Sequence, residues 1–406
     1  MLGPAFCTRP RGMGRGAALT LVFATVVTAA AVTNCLPRDE GRPEPRPAAR
    51  AAAATVGHEG RAGRDGTADR DEVARAAAEA MADGKSGTDA AQEVVSRSGD
   101  RWGAVYDESE YAQFERALDG QYTGVGLWAR RAAGGDVEVA RVQRGSPAER
   151  AGIRPGDRLR TVDGRAVQGL PVAEVVALLR GDDTGGGTDA EAGSAVVLGV
   201  QRGDRTWTET LRRARLATEA VTVRRLDDGT VLIRVAEFTK GSGARIRAAV
   251  ADAPEGAGVL LDLRGNGGGL VAEAVAAASV FLDGGLVATY DVHGEEKALY
   301  AEPGGDTGRP LVALVDGGTM SAAELLTGAL KDRGRAVTVG SRTFGKGSVQ
   351  MPNRLPDGSV AELTVGHYRT PSGHRVDGRG ITPDVAASDG AEERARTVLS
   401  GLGGGA

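Results

Sequence analysis

Cysteine is almost missing from this chain. Only Cys7 and Cys35 occur in 406 residues, both before anything that reads as a folded domain. A disulfide scaffold, a thiol nucleophile and Cys-ligated zinc are thereby excluded from the folded part. Histidine is nearly as scarce. His58, His293, His367 and His374 are the full set, and no two have the spacing of an HExxH helix. That pattern argues against a zinc hydrolase, so neither metal nor cofactor is expected, and each histidine reads as a surface or packing residue. Aromatics make up 4% of the chain, and 50 Lys and Arg stand against 54 Asp and Glu, a net charge of −4. Without a basic excess there is no electrostatic footprint for nucleic acid or an anionic membrane surface.

What is present falls into regions. Arg9, Arg11 and Arg15 precede the uncharged run AALTLVFATVVTAAAVT at 17–33. Basic residues ahead of an apolar core make residues 1–35 an export signal or a membrane anchor. Ala29 and Ala31 form an A-x-A-like cleavage site, while the uncleaved run approaches the roughly 17 residues of a short membrane span. Both versions place the rest of the chain outside the cytoplasm, membrane-anchored or secreted. Cys35 suggests lipidation, but Asn34 stands where a lipobox has a small residue. Residues 36–69 mix Pro, Gly and both charges with almost no large apolar side chain, the composition of a disordered linker. From 70 to 119 two short helices are expected, the first burying Val73, Ala77 and Met81. The aromatics Trp102, Tyr106, Tyr111 and Phe114 that follow read as a packing cap.

From 120 to 215 the pattern is strand, hairpin, strand, a short helix opened by Ser146-Pro147, a turn at 154–157, a strand, and a helix opened by Pro171. TGVGL at 123–127, GSPAERAGIRPGDRL and VDGRAV resemble a PDZ domain, a β-sandwich-like fold with two helices. In such a domain the backbone N–H groups of Thr123, Gly124, Val125, Gly126 and Leu127 form an anion nest for a peptide's terminal carboxylate. The peptide adds as a strand, and Val125, Leu127 and the helix from Val172 to Leu179 line the groove for its last side chain. The Gly- and Asp-rich stretch 181–194 lengthens one loop.

Residues 216–390 alternate strands and helices, an α/β domain whose active groups belong at strand ends. LVALVDGG leads to Ser321 at a helix start, and AVTVG leads to TFGKGSVQ with Lys346. Alone, Ser321 reads as an N-cap and Lys346 as a surface charge. Together they form a candidate Ser/Lys dyad, because a serine hydroxyl needs a base and a neutral amine can serve. With a pKa near 10.4 only about one lysine in 10³ is neutral at pH 7, so a working base needs that value lowered by roughly 3, about 4 kcal/mol. Burial among glycines, Phe344 and strand ends is the expected source. Gln350 is placed to orient the amine without charging it.

LDLRGNGGG, SAAELLTGALKDRGRAVTVGSRTFGKGSVQ and YRTPSGHRVDGRGITPDV closely resemble three blocks of the carboxyl-terminal processing peptidases, or tail-specific proteases. The resemblance runs from about 70 to 386 and includes the 25-residue interval from Ser321 to Lys346. It implies a ClpP/crotonase-like catalytic domain with Ser321 as nucleophile, Lys346 as general base and Gln350 as orienting residue. The oxyanion hole would be the N–H groups of Ala322 and Gly269, with Gly268 a nearby alternative. It further implies a serine endopeptidase acting on polypeptides with free C-termini. NGGG stands at 266–269 where many relatives have NPGG, and Ala322-Ala323 replaces a stretch often richer in serine. The alternative is an inactive PDZ-bearing binding or chaperone module. A chymotrypsin-like PDZ protease would need an all-β domain before the PDZ and a G-x-S-x-G, and has neither. Residues 391–406 are expected to form a C-terminal tail, disordered at GLGGGA.

Overall fold

The computed structural model describes residues 67–132, 135–181, 190–292 and 295–403. The expected export segment, most of the linker, Cys7, Cys35, His58, His293 and loop residues 182–189 lie outside the described residues. Among those described, no helix is long and apolar enough to cross a membrane.

Two compact units divide the chain, one of residues 113–222, the other of the described residues before 113 with those from 223 onward. In the second unit α1 (Arg70–Ala82) and α2 (Gly87–Ser98) form a helical pair leading to β1 (Ala104–Tyr106). Asp69, assigned by sequence to the linker, caps α1 by accepting from the N–H groups of Asp71 and Glu72 at 2.9 and 3.0 Å. Val73 and Ala77 are buried, but Met81, in the last turn of the helix, is 42% exposed. This region is not a body of its own. Val73, Ala77, Ala91, Val95 and Val105 share one core with Leu355, Ala361 and Leu363, nearly 260 residues later.

After α3 (Glu108–Leu118) the 113–222 unit runs β2 (Gln121–Gly124), β3 (Leu127–Arg131), β4 (Val137–Val142), α4 (Pro147–Arg150), β5 (Arg158–Val162), β6 (Arg165–Ala166), α5 (Val172–Arg180), β7 (Ala195–Arg202), β8 (Arg205–Arg212) and β9 (Ala214–Ala217). Ser146 caps α4, accepting from Glu149 N–H at 3.2 Å. The main sheet has the order β3-β4-β5-β7-β8, so β3 is an edge, while β2 pairs with β9. Val137, Val139, Leu159, Val175 and Leu198 centre the core.

The peptide then continues through β10 (Val221–Arg225), β11 (Val231–Val235), α6 (Ser242–Ala251), β12 (Val259–Asp262), α7 (Val271–Phe281), β13 (Leu286–Val292), β14 (Glu295–Tyr300), β15 (Leu311–Val315), α8 (Ala322–Asp332), β16 (Val337–Gly340), β17 (Ser348–Arg354), β18 (Val360–Arg369), β19 (Val385–Ala386) and α9 (Ala391–Gly403). A six-stranded sheet has the order β10-β11-β12-β15-β16-β19, parallel from β11 to β19. A second sheet runs β1-β18-β13-β14, with β17 also on β18. β12 and β15 are buried throughout, the uninterrupted apolar run that a parallel strand covered on both faces requires. Each buried Val or Leu there contributes about 1.5–3 kcal/mol.

Where the sequence suggested a tail, the chain forms α9. Ala391, Ala395 and Leu399, one turn apart, pack with Leu260, Val312, Leu314 and Val339 of the parallel sheet. Even Gly401–Gly403 of the expected disordered end belong to the helix. Its apolar stripe outweighs the glycines because the sheet face needs covering.

Candidate active site

Three neighbouring parallel strands, β12, β15 and β16, deliver their loops to one end of the sheet. That is where open α/β sheets place their reactive groups. Hydrogen bonds fix these loops to each other. Asp316 Oδ1 accepts from the N–H groups of Gly265 and Gly318, both at 2.9 Å. The Thr319 hydroxyl donates to Leu263 O at 2.9 Å, and Met320 N–H to Asn266 O at 2.8 Å. Phe344 N–H donates to Thr319 O at 3.0 Å, tying in the third loop.

Ser321 sits between β15 and α8 with φ 51° and ψ −118°, one of two described non-glycine residues at positive φ. Such a conformation costs on the order of 1–3 kcal/mol and is tolerated only where the surroundings enforce it. A sharp strand-to-helix turn of this kind exposes a nucleophile's oxygen at the top of a sheet.

The loop carrying Lys346 answers why a lone cation lies between two glycines. A Cβ on Gly347 would stand 2.4 Å from Asp377 N, so only glycine lets the chain pass there. Lys346 is largely buried, and burial holds its amine below the ordinary 10.5 against the pull of Glu362 and Asp100. The flanking Gly345 and Gly347 are buried as expected, and the aromatic ring over the amine is that of Trp102, its centroid 4.8 Å from Lys346 Nζ. Phe344 itself is 43% exposed. No hydrogen bond joins Nζ to Ser321 among the described residues.

What brings the serine and lysine backbones together is a pair of residues the sequence reading missed. Glu324, fully buried on α8, accepts four hydrogen bonds. Oε1 takes the Thr343 hydroxyl at 2.5 Å and Gly345 N–H at 2.7 Å. Oε2 takes Lys346 N–H at 2.9 Å and Ser321 N–H at 3.0 Å. Burial still pushes its carboxyl up, opposed by those four donors. From the other side the Tyr368 hydroxyl donates to Ser321 O at 2.8 Å, shared with Lys346 O at 3.1 Å. Burial raises this phenol well above 10.0. Its proton therefore stays available to the two carbonyls at any working pH.

Gln350 is not bonded to the amine. Its Nε2 donates to Ser348 Oγ at 2.8 Å and to Thr364 Oγ1 at 3.3 Å. Near the amine stands Glu362, whose carboxyl burial pushes up, opposed by Lys346. Both members of that buried pair thus move toward their neutral forms.

Of the two glycines weighed for the oxyanion hole, Gly268 donates its N–H to Asn266 Oδ1 at 2.8 Å. Among the described residues no acceptor takes the N–H of Gly269 or of Ala322. Gly269 has φ 117°, and a Cβ there would meet Phe238 O at 2.4 Å. If the Gly269 N–H is an oxyanion donor, Gly269→Ala should rotate it away and lower kcat/KM by roughly 10²-fold or more, with KM little changed. Steady-state kinetics on a peptide substrate check this; an unaltered kcat would remove Gly269 from the hole.

In the 113–222 unit, Thr123 and Gly124 end β2, paired with Arg215 and Ala214. Val125 is buried in the core that also holds Val175 of α5, and Leu127 and Leu178 are half-buried against that core. Arg180, at the end of α5, stacks on Tyr122 at 5.6 Å, beside this loop.

Residues 229–387 match the family described as peptidase family S41, and residues 138–185 match the PDZ domain. The chain is 36% identical over 318 residues to a protein named C-terminal processing peptidase, chloroplastic, of Tetradesmus obliquus, covering 73% of this chain and 67% of that one. It is 31% identical over 293 residues to the carboxy-terminal processing protease CtpA of Bacillus subtilis, covering 71% and 61%. The chain thus spans about two thirds or less of the length of these relatives. A solved structure titled photosystem II D1 C-terminal processing protease matches with TM-score 0.49 and 31% identity, over 79% of this chain and 86% of that one. Serine and lysine loops on neighbouring strand ends, a PDZ unit ahead of them and these relatives agree: the chain belongs to peptidase family S41, among the C-terminal processing serine peptidases.

Proposed function

We propose that the chain is a serine endopeptidase in which Ser321 is the nucleophile and Lys346 its base, cutting polypeptides near free C-termini. The observation that carries the reading is a buried amine on a loop whose backbone shares Glu324 and Tyr368 with the strained serine.

For the reaction the amine swings from the Trp102 ring to Ser321 Oγ on its four-carbon stem, since catalytic hydrogen bonds often close only around substrate. The amine takes the hydroxyl proton as Oγ attacks the scissile carbonyl carbon. The N–H groups of Gly269 and Ala322 receive the resulting oxyanion. The lysine ammonium returns the proton to the leaving nitrogen, the C–N bond breaks, and an acyl-enzyme ester remains. Water then gives a proton to Lys346 and attacks the ester, and Oγ leaves with that proton. No cofactor takes part.

Substrate selection belongs to the PDZ unit. The free edge of β3 supports strand addition by a peptide, and the half-buried Leu127 and Leu178 suit a small apolar terminal side chain. Arg180 adds a cation beside the Thr123–Leu127 loop, suited to a carboxylate. The basic-then-apolar segment before residue 36 supports action outside the cytoplasm, on exported or unfolded chains, with that segment as signal or anchor.

The test is cleavage by the full-length chain of an unfolded reporter ending in a small apolar residue, with its terminal carboxylate free or amidated. The free tail should be cut with a kcat/KM at least tenfold higher, the difference lying mainly in KM. Equal rates would remove the PDZ from substrate selection, and no cleavage of either would remove the peptidase reading.

A further inference from the structure

The turn between α2 and β1 belongs to the helical region that the sequence set apart from the reaction. It ends over the lysine. Trp102 presents its ring 4.8 Å from Lys346 Nζ and meets Phe344 edge-on at 5.9 Å, 62° between planes. Arg101 lies 4.8 Å from the same ring.

The turn is tightly held. Asp100, 9% exposed, accepts with Oδ1 from Trp102 N–H at 3.1 Å and Gly103 N–H at 2.9 Å. It also grips β18, accepting Thr364 N–H at 2.9 Å and the Thr364 hydroxyl at 2.8 Å. That same hydroxyl oxygen accepts from Gln350. One buried carboxylate therefore fixes the indole, β18 and the strand after Lys346 relative to one another.

We propose that Trp102 is a positioning residue for the base: its ring roofs the Lys346 amine and keeps water from it, and Asp100 locks that roof to β17 and β18. This rests on the reading of Lys346 as base.

Two effects of an aromatic ring oppose each other here. Its face attracts an ammonium, and its bulk displaces the water an ammonium needs. Other groups near the amine pull in known directions. Glu362 on β18 and Asp100 on the turn favour the ammonium, and Arg101 lies over the same ring. Glu324 and Tyr368 are committed to backbone groups of the dyad loops. Asp377 accepts Gly347 N–H at 3.2 Å and lies 3.6 Å from His367. With two carboxylates favouring charge, exclusion of water by the ring is what keeps the amine's pKa low. Removing the ring admits water and moves it up toward the ordinary value.

The experiment titrates Lys346 directly in the full-length Ser321→Ala chain, by the pH dependence of its labelling with an amine-reactive ester read by mass spectrometry. Trp102→Ala in this background should raise the midpoint, and Trp102→Phe, which keeps a ring, should leave it within a few tenths of the parent. With Ser321 present, Trp102→Ala should lower kcat/KM at least tenfold at pH 7 and recover most of that loss by pH 10, since each unit of midpoint is tenfold in neutral amine. If the alanine variant fails to fold, Trp102→Gln fills more of the space, still admits hydrogen bonding to the amine, and should act in the same direction. An unmoved midpoint in Trp102→Ala or Trp102→Gln, with activity reduced equally at all pH, would overturn the proposal and leave Trp102 a packing residue. Full activity of Lys346→Ala would instead defeat the base assignment, and the labelling midpoints would still report on Trp102.

Discussion

If Ser321 and Lys346 form the proposed dyad, Lys346→Ala should lower kcat/KM on the tail reporter by at least roughly 10⁴-fold, and Ser321→Ala should do the same. The double variant should be no worse than either, because a nucleophile and its base would act as one unit whose losses do not add. The pH profile carries the sign. Only the neutral amine accepts the serine proton, so wild-type kcat/KM climbs as pH rises through the lysine's pKa. Burial holds that value below 10.5, so the climb comes earlier than for an exposed lysine. Small amines added to Lys346→Ala should restore part of the rate in proportion to their neutral fraction. A comparable rate for Lys346→Ala at pH 7 would show that the base lies elsewhere.

Glu324→Gln is the second large effect, and it acts on stability and rate together. Each carboxylate oxygen receives two donors, so however the amide is turned, one pair of donors faces an NH₂ group. Either the Thr343 hydroxyl and Gly345 N–H or the Lys346 and Ser321 N–H groups lose their acceptor. Two buried donors stranded in this way cost about 2–5 kcal/mol. Because Ser321 and Lys346 are displaced along with them, kcat/KM should fall by roughly 10²-fold or more. Thermal unfolding and steady-state kinetics read the two losses separately. A variant that melts with the wild type and keeps its rate would show that the carboxylate is not what ties the loops.

The strand-then-loop rhythm of 216–390 was legible because parallel strands such as LVALV need to be apolar throughout. The same rhythm put Ser321 and Lys346 at strand ends. Glu324 left a signal that was passed over: SAAE, three residues on from Ser321, is the spacing of a capping box, and Glu324 does accept the Ser321 N–H. Tyr368 left none, since its bonds to Ser321 and Lys346 depend on how β18 crosses the loops. Trp102 was readable as part of a packing cap but not as a neighbour of Lys346, because that contact follows from β1 pairing with β18. The stripe Ala391, Ala395, Leu399 had helical spacing, and the glycines after it led to the wrong expectation. For Tyr368, Trp102 and α9 the deciding partner lies far away in sequence, where local propensity has nothing to say.

That separation sets a kinetic problem for the folding chain. Asp100 must find Thr364 across 264 positions, a contact that usually makes folding slow. The inserted 113–222 unit shortens the search. Its β2 and β9 pair Gln121 with Ala217, bringing its two chain ends side by side. Once that unit has folded, a stretch of about a hundred residues behaves like a loop of about ten. Loop-closure entropy grows as the logarithm of length, so shortening the 264-position separation to about 170 saves about 0.4 kcal/mol in the encounter of Asp100 with Thr364. A mutation that unfolds the inserted unit should therefore slow assembly around Lys346 even where it touches no residue of the peptidase part.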